Sequence, residues 1–266
     1  MIGTMVDRLS SLDAAFLNIE HVTEPMHVAS LYIFDAHDTR TGRPGITDFS
    51  RLLEERLPLI PRYRQRCVPV PLGLGHPLWI DDPDFDLTYH LRRAALPAPG
   101  GMAELLEYVA RVHERPLDRA RPLWETYVIE GLTGERFAVY TKVHHAMVDG
   151  VSGTDLATVL YDATPDGHRV PPHRRWHPPP LPSDRQLVAG VMSEAIGNGM
   201  GGIANAVRHP LETQRRVAAG TRAAASLQQL STMLVPVAAA PFNGAVGPHR
   251  RIALVDVSLA RVKAIK

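Results

Sequence analysis

Seven prolines stand between Asp162 and Asp184, at positions 165, 171, 172, 178, 179, 180 and 182. Proline has no N–H to donate and a fixed φ, so this stretch can be neither regular helix nor central strand. It divides the chain. The expected organisation is an N-terminal domain over residues 1–162, a linker over 163–185, and a third segment over 186–266. The first part of that segment, Gln186 to Leu234, is rich in alanine and reads as helical, interrupted by a glycine cluster and Pro210. At 266 residues the chain is long enough for one large domain or a domain and a half.

Ahead of the linker, strand and helix signals alternate. Ser10-Ser11-Leu12-Asp13 before Ala14-Ala15-Phe16-Leu17 reads as a capped short helix. His27 to Phe34 alternates and is β-rich. Asp48 is positioned to cap a helix through Leu57, which Pro58 and Pro61 end. Val68 to Trp79 is a proline-broken extended stretch, and Asp81 to Asp86 reads as a solvated acidic turn. Ala103 to His113 is amphipathic helix, and Leu123–Ile129 and Arg136–His145 read as strands. Thr154 to Tyr161 has a helical pattern, Arg250–Val257 reads as a strand, and Leu259–Lys266 begins a helix. Without a strict βαβ rhythm, these elements predict an α/β (α+β) mixed sheet flanked by helices.

The chemistry concentrates where the Arg136–His145 strand ends, in His144-His145-Ala146-Met147-Val148-Asp149-Gly150. Imidazole titrates near neutrality and moves protons there. Neighbouring residues of a strand point to opposite faces, so His144 and His145 should enter different environments. Gly150 permits unusual backbone dihedrals and removes a side chain.

Composition narrows the function classes. A formal net charge of +1 with dispersed arginines gives no case for nucleic acid. Cys67 is the only cysteine, which rules out an internal disulfide and makes a structural thiol the expectation. Residues 1–13 lack signal-peptide order, and no apolar run reaches the roughly 20 residues of a membrane span. The expected location is cytoplasmic.

Other signals fail on context. Gly197 to Gly202 has dinucleotide-binding glycine spacing but comes after a helix pattern rather than a strand. Asp82 to Asp86 opens like a calcium loop, but Leu87 stands where glycine is needed and Arg93 where the bidentate glutamate is needed. His168, His173 and His177 fit no zinc spacing, so no metal is expected. Ser152 lacks the Gly-x-Ser-x-Gly elbow of a nucleophile. One rival use of the motif stays open. His144 and Asp149 have the H-x4-D spacing of glycerolipid acyltransferases, which would make His144 the base.

Several segments together resemble the bacterial wax ester synthase/diacylglycerol acyltransferase family. They are Leu9 to Leu17 with Pro25-Met26-His27-Val28, Trp79 to Leu87 with His90-Leu91, and Arg121-Pro122-Leu123-Trp124-Glu125 with Gly131-Leu132. His144 to Gly150 fits the HHxxxDG pattern of CoA-dependent acyltransferases, and Phe242-Asn243-Gly244 with Arg250-Arg251 extends the match towards Lys266. The resemblance implies a chloramphenicol acetyltransferase-like fold of two halves around a tunnel. Residues 1–162 would then be the acyltransferase domain of one half, and 186–266 the crossover segment and start of a C-terminal half, an expected partner. It implies a long-chain acyl-CoA co-substrate, no further cofactor, and diacylglycerol or a long-chain alcohol as acceptor, met at a peripheral membrane or lipid-droplet surface.

The resemblance also implies roles. His145 is the general base, His144 supports the loop from the other face, Asp149 holds the loop by pairing with an arginine, and Gly150 lets substrate pass. The alternative from another class is a non-catalytic module that binds lipid or CoA and needs a partner half.

Overall fold

The computed structural model describes residues 7–36, 45–148, 159–162, 176–193, 244 and 246–265. The chain divides into two compact units. One comprises residues 1–69, 76–181 and 247–266, the other 70–75 and 182–246.

The first unit is built on two sheets. β1 (Asp7–Arg8), β4 (Leu78–Asp81) and β3 (Gln65–Val68) form a small antiparallel sheet in the order β1-β4-β3. The larger sheet comprises β2 (His27–Asp35), β7 (Arg136–His144), β6 (Trp124–Leu132) and β5 (Leu91–Ala95), in the order β2-β7-β6-β5. β7 runs antiparallel to both neighbours, whereas β5 and β6 are parallel, so the sheet is mixed as expected. β3 and β4 flank the Val68–Trp79 stretch that the sequence marks only as extended, β3 ending at Val68 and β4 beginning at Leu78, and prolines 69, 71 and 77 mask these short pairings.

Helices cover both faces of the larger sheet. α2 (Ile46–Arg56) packs Phe49 and Leu53 against Trp124, Val128, Val139 and Val143. α4 (Met102–His113) packs Leu105, Val109 and Val112 against Tyr127, Ile129, Ala138 and Tyr140. Strand alternation sets this division, with odd residues of β7 facing α2 and even residues facing α4. Each fully buried aliphatic side chain here contributes about 1.5–3 kcal/mol.

Trp124 fills the α2 side. It stacks on His90 at 4.6 Å between ring centroids, and its indole N–H donates to the Tyr63 carbonyl at 2.8 Å. His90, at the end of the short helix α3 (Leu87–His90), donates from Nδ1 to the Trp124 carbonyl at 2.8 Å. One turn demands glycine. Gly100 has φ +71, and a Cβ there would stand 1.9 Å from the Gly131 carbonyl oxygen.

Caps explain most helix starts. Ser10 caps α1 (Ser11–Ile19), accepting from the Asp13 N–H at 3.1 Å. Asp48 is not the cap of α2. It sits at the third helical position and accepts from the N–H of Gly45, the actual cap residue, because the helix begins two residues before it. The acidic turn is not solvated throughout: Asp82 is buried, accepts from the Asp84 N–H and lies 3.9 Å from Arg66. Asp86 caps α3 through Thr88.

The Arg250–Val257 strand expectation fails. Residues 251–258 form no strand, and Leu254, Val255 and Val257 are exposed, since among the described residues no strand pairs with them. A short helix does begin at Leu259, capped by Ser258. In the second unit, residues 184–193 are helical, with the Ser183 N–H donating to Gln186. The glycine cluster at 197–202, the histidines at 168 and 173, Ser152 and residues 194–234 lie outside the described residues, as does most of the 154–161 pattern.

The α4 side of the sheet changes character towards the end of β7. Lys142 is fully buried and donates to the carbonyls of Val112 and Arg115 at 3.1 and 2.8 Å, where α4 ends. Its cross-strand neighbour Glu125 lies 3.6 Å away and also accepts from the Tyr127 hydroxyl at 2.7 Å. Burial lowers the lysine pKa, and Glu125 opposes that shift. Next along the face, His27 pairs with His144 across the strands. Burial first, and the Lys142 ammonium second, push the His27 imidazole down to about 3, with Glu20 pulling the other way.

Replacing the lysine tests its place in the core. Lys142→Met leaves Glu125 with Tyr127 and Arg92 but takes the donor from the Val112 and Arg115 carbonyls, and urea denaturation should show a loss of about 1–3 kcal/mol. The histidine makes stability depend on pH. Histidine ordinarily titrates near 6.5, so a folded-state pKa of about 3 means that the unfolded chain takes the proton first. His27 therefore contributes stability that is whole above about pH 6.5 and drains as pH falls towards 3. Melting temperatures should drop through that window, and His27→Gln should flatten the decline.

Candidate active site

β7 delivers two histidines to two environments. His144 is its last residue, on the α4 side, and is 1% exposed. His145 opens a single 3-10 turn, His145–Met147, and is half-buried. The separation expected from alternation is present, sharpened by the chain leaving the sheet between them.

The His145 ring lies flat on Phe16 of α1, with centroids 3.9 Å apart and planes 27° from parallel. Its backbone N–H donates to the Met26 carbonyl at 2.8 Å, and its carbonyl accepts from the Val148 N–H at 3.1 Å, closing the turn. Nδ1 of His145 is buried and has no hydrogen-bond partner among the described residues. Ala146 and Met147 pack beneath, against Ala14 and Leu17 of α1, with Leu9, Trp79, Leu117 and Leu123 completing that cluster. α1 thus supplies both the stacking ring and the apolar floor.

His144 caps the turn. Its Nδ1 accepts from the Ala146 N–H at 3.0 Å. A ring nitrogen that accepts carries no proton, so neutral His144 holds its proton on Nε2. That Nε2 faces Oε1 of Glu20 at 3.6 Å, and Nε2 of His27 lies at the same distance from the same oxygen.

Glu20 stands at the centre of these contacts, and no sequence motif marks it. It comes directly after α1, and its side chain is 8% exposed. Oε1 accepts from the Met26 N–H at 3.1 Å, while Oε2 accepts from Nε and Nη2 of Arg119 at 3.1 and 2.7 Å. Burial raises its carboxyl pKa, but interaction with His144, Arg119 and the Met26 N–H outweighs that, and the group is held at about 2. The sequence holds one signal of this role. A carboxylate at a helix C-terminus opposes the macrodipole, and its presence there points to other partners.

Asp149 and Gly150 lie outside the described residues. Arg56 of α2 is buried and donates to Asp162 at 2.6 Å and to the Val159 carbonyl at 3.2 Å, which ties the segment downstream of the motif to the sheet's helical cover. Cys67 sits in β3 with its thiol pushed up to about 11 by burial, a poor setting for a thiolate nucleophile. Among the described residues no group of three or more His, Cys, Asp and Glu could hold a metal ion, and no helix is long and apolar enough to cross a membrane.

Residues 9–266 match the family model described as the wax ester synthase/diacylglycerol acyltransferase catalytic domain. The probable diacylglycerol O-acyltransferase tgs3 of Mycobacterium tuberculosis H37Rv is 38% identical over 276 residues, covering 98% of this chain and 96% of that protein. The probable diacylglycerol O-acyltransferase tgs2 of the same strain is 36% identical over 262 residues, covering 98% of this chain and 55% of that protein. The structure of a wax ester synthase/diacylglycerol acyltransferase from Marinobacter aquaeolei VT8 superposes with a TM-score of 0.51 at 38% identity, over 62% of this chain and 41% of that one. The chain thus spans nearly all of tgs3, but only about half of tgs2 and less of the Marinobacter protein. By the family match over residues 9–266 and the identity to tgs3 across both chains, this protein belongs to the wax ester synthase/diacylglycerol acyltransferase family.

Proposed function

We propose that the protein is an acyl-CoA-dependent O-acyltransferase that moves a long-chain acyl group to diacylglycerol, to a fatty alcohol, or to both. The observation that carries this reading is His145. It is the second histidine of the family's HHxxxDG pattern, on a turn anchored by Met26 and braced by Phe16, and it is half-buried where His144 is sealed.

An alcohol is a weak nucleophile at neutral pH. Neutral imidazole removes its proton as the oxygen attacks the thioester carbonyl. With Nδ1 of His145 buried, Nε2 is the nitrogen available to the hydroxyl. Collapse of the tetrahedral adduct forms the ester and breaks the C–S bond, and the same imidazolium returns the proton to the departing CoA thiolate. No acyl-enzyme is formed. A base so placed contributes roughly 10²- to 10⁴-fold in rate.

In this reading His144 holds the turn, Asp149 holds the loop beyond it, and Gly150 leaves room for substrate. The burial of His144 and its engagement of the Ala146 N–H support a holding role over that of an H-x4-D base. Residues 186–266 serve as the crossover towards a C-terminal half, and the apolar acceptor is met at a membrane or droplet surface.

Incubation with labelled palmitoyl-CoA and diacylglycerol or hexadecanol, with and without a complementing C-terminal half, should yield neutral lipid and free CoA in equal amounts. His145→Ala should abolish the product without altering the melting temperature. Loss of product in His144→Ala with His145→Ala still active would reverse the assignment. Asp149→Ala should chiefly lower stability, and a fully stable but inactive variant would contradict its holding role.

A further inference from the structure

Two routes lead from the backbone around His145 to one carboxylate oxygen, one by hydrogen bonds and one ending in an electrostatic contact. The His145 N–H donates to the Met26 carbonyl, and the Met26 N–H donates to Oε1 of Glu20. The next N–H, that of Ala146, donates to Nδ1 of His144, whose Nε2 lies 3.6 Å from the same Oε1, an electrostatic contact beyond hydrogen-bond length. The two arms leave Glu20 in different directions and meet again at adjacent peptide groups of the 3-10 turn. We propose that Glu20 is the positioning residue for His145, fixing through Met26 and His144 the two backbone N–H groups that set where the imidazole points. The inference rests on His145 being the base of the proposed acyl transfer.

The geometry favours a carboxylate. The Ala146 N–H selects the tautomer with Nδ1 bare and the proton on Nε2, and the Glu20 charge, 3.6 Å away, favours the same tautomer electrostatically. With the proton on Nδ1, two donors would face each other inside the fold, and the turn would lose its cap. Charged and titratable groups surround the site on every side. Arg119 closes on Oε2 and also donates to the Leu17 carbonyl, where α1 ends. His27 lies against Oε1 from β2, His113 meets the His27 ring edge-on from α4, and Lys142 stands beyond on β7. Arg119 therefore holds the carboxylate in place, and α1 carries both ends of the device: Phe16 against the His145 ring and Glu20 behind its backbone.

The relay predicts a definite protonation pattern and a definite kinetic split. Glu20 touches no reacting atom, so its loss misaims the base without removing a substrate contact. In Glu20→Ala kcat should fall by up to about 100-fold, the scale expected for misplacement of a reacting group, while KM for acyl-CoA stays within about twofold. Glu20→Gln, whose amide oxygen still accepts, should recover most of the rate.

Long-range 1H–15N spectra of the imidazoles, recorded on the full chain near pH 8 where unperturbed histidine is neutral, test the device without reference to turnover. The wild type should show His144 protonated on Nε2 alone, and Glu20→Ala should show a mixture of tautomers. A wild-type His144 protonated on Nδ1 overturns the proposal, even if Glu20→Ala does not fold. So does a folded Glu20→Ala with unchanged tautomer and kcat, or a Glu20→Gln as impaired as the alanine variant. If the wild type shows the expected tautomer but transfers no acyl group, the function fails and the relay stands.

Discussion

A lysine ammonium with no access to water organises the α4 side of the main sheet. Lys142 could not be buried alone, because an unpaired charge in the interior costs several kcal/mol. Here it meets two carbonyls from the end of α4, where the helix dipole is negative, and a carboxylate on the neighbouring strand. The three contacts lock α4, β6 and β7 at one height. They also set the electrostatics further along β7, since the same ammonium helps keep His27 neutral on the adjacent strand. The polar stripe from Glu125 to Glu20 continues from that anchor.

The stripe and the apolar core divide the labour on β7. On the α2 side, Val139, Val143 and Trp124 hold the strand through dispersion and burial, which tolerate small displacements. On the α4 side, hydrogen bonds and charge pairs hold its last residues, and these tolerate little, because their energy depends on distance and direction. In the proposed reaction His145 meets a substrate hydroxyl within a few tenths of an ångström, which calls for the second kind of support behind it. The motif sits where the sheet changes from the one kind to the other.

The pairing of stacking and hydrogen bonding around His145 has a chemical consequence. Phe16 covers one face of the imidazole and Nδ1 is buried, so in the proposed reaction Nε2 is the nitrogen that meets substrate. Stacking on one face and burial of one nitrogen give the imidazole a direction. α1 does this from a distant part of the chain, within the residues that match the family model.

Much of this is readable from residue order. Alternation in Arg136–His145 places the two histidines on different sides, the Ser10 cap marks α1, and the apolar spacing of Ala103–His113 marks α4, because these depend on neighbours along the chain. The order of segments from Leu9 onwards identifies the family. What residue order could not reveal depends on contacts between distant residues. Asp82 looks solvated until Arg66 and the surrounding fold enclose it. Arg250–Val257 alternates like a strand, but a strand requires a partner, and alternation does not supply one. Glu20 carries only one local hint, a carboxylate placed at a helix C-terminus. Its meaning arises only when Met26, Arg119, His27 and His144 converge on it from separate places in the chain, and that convergence is a property of the folded molecule.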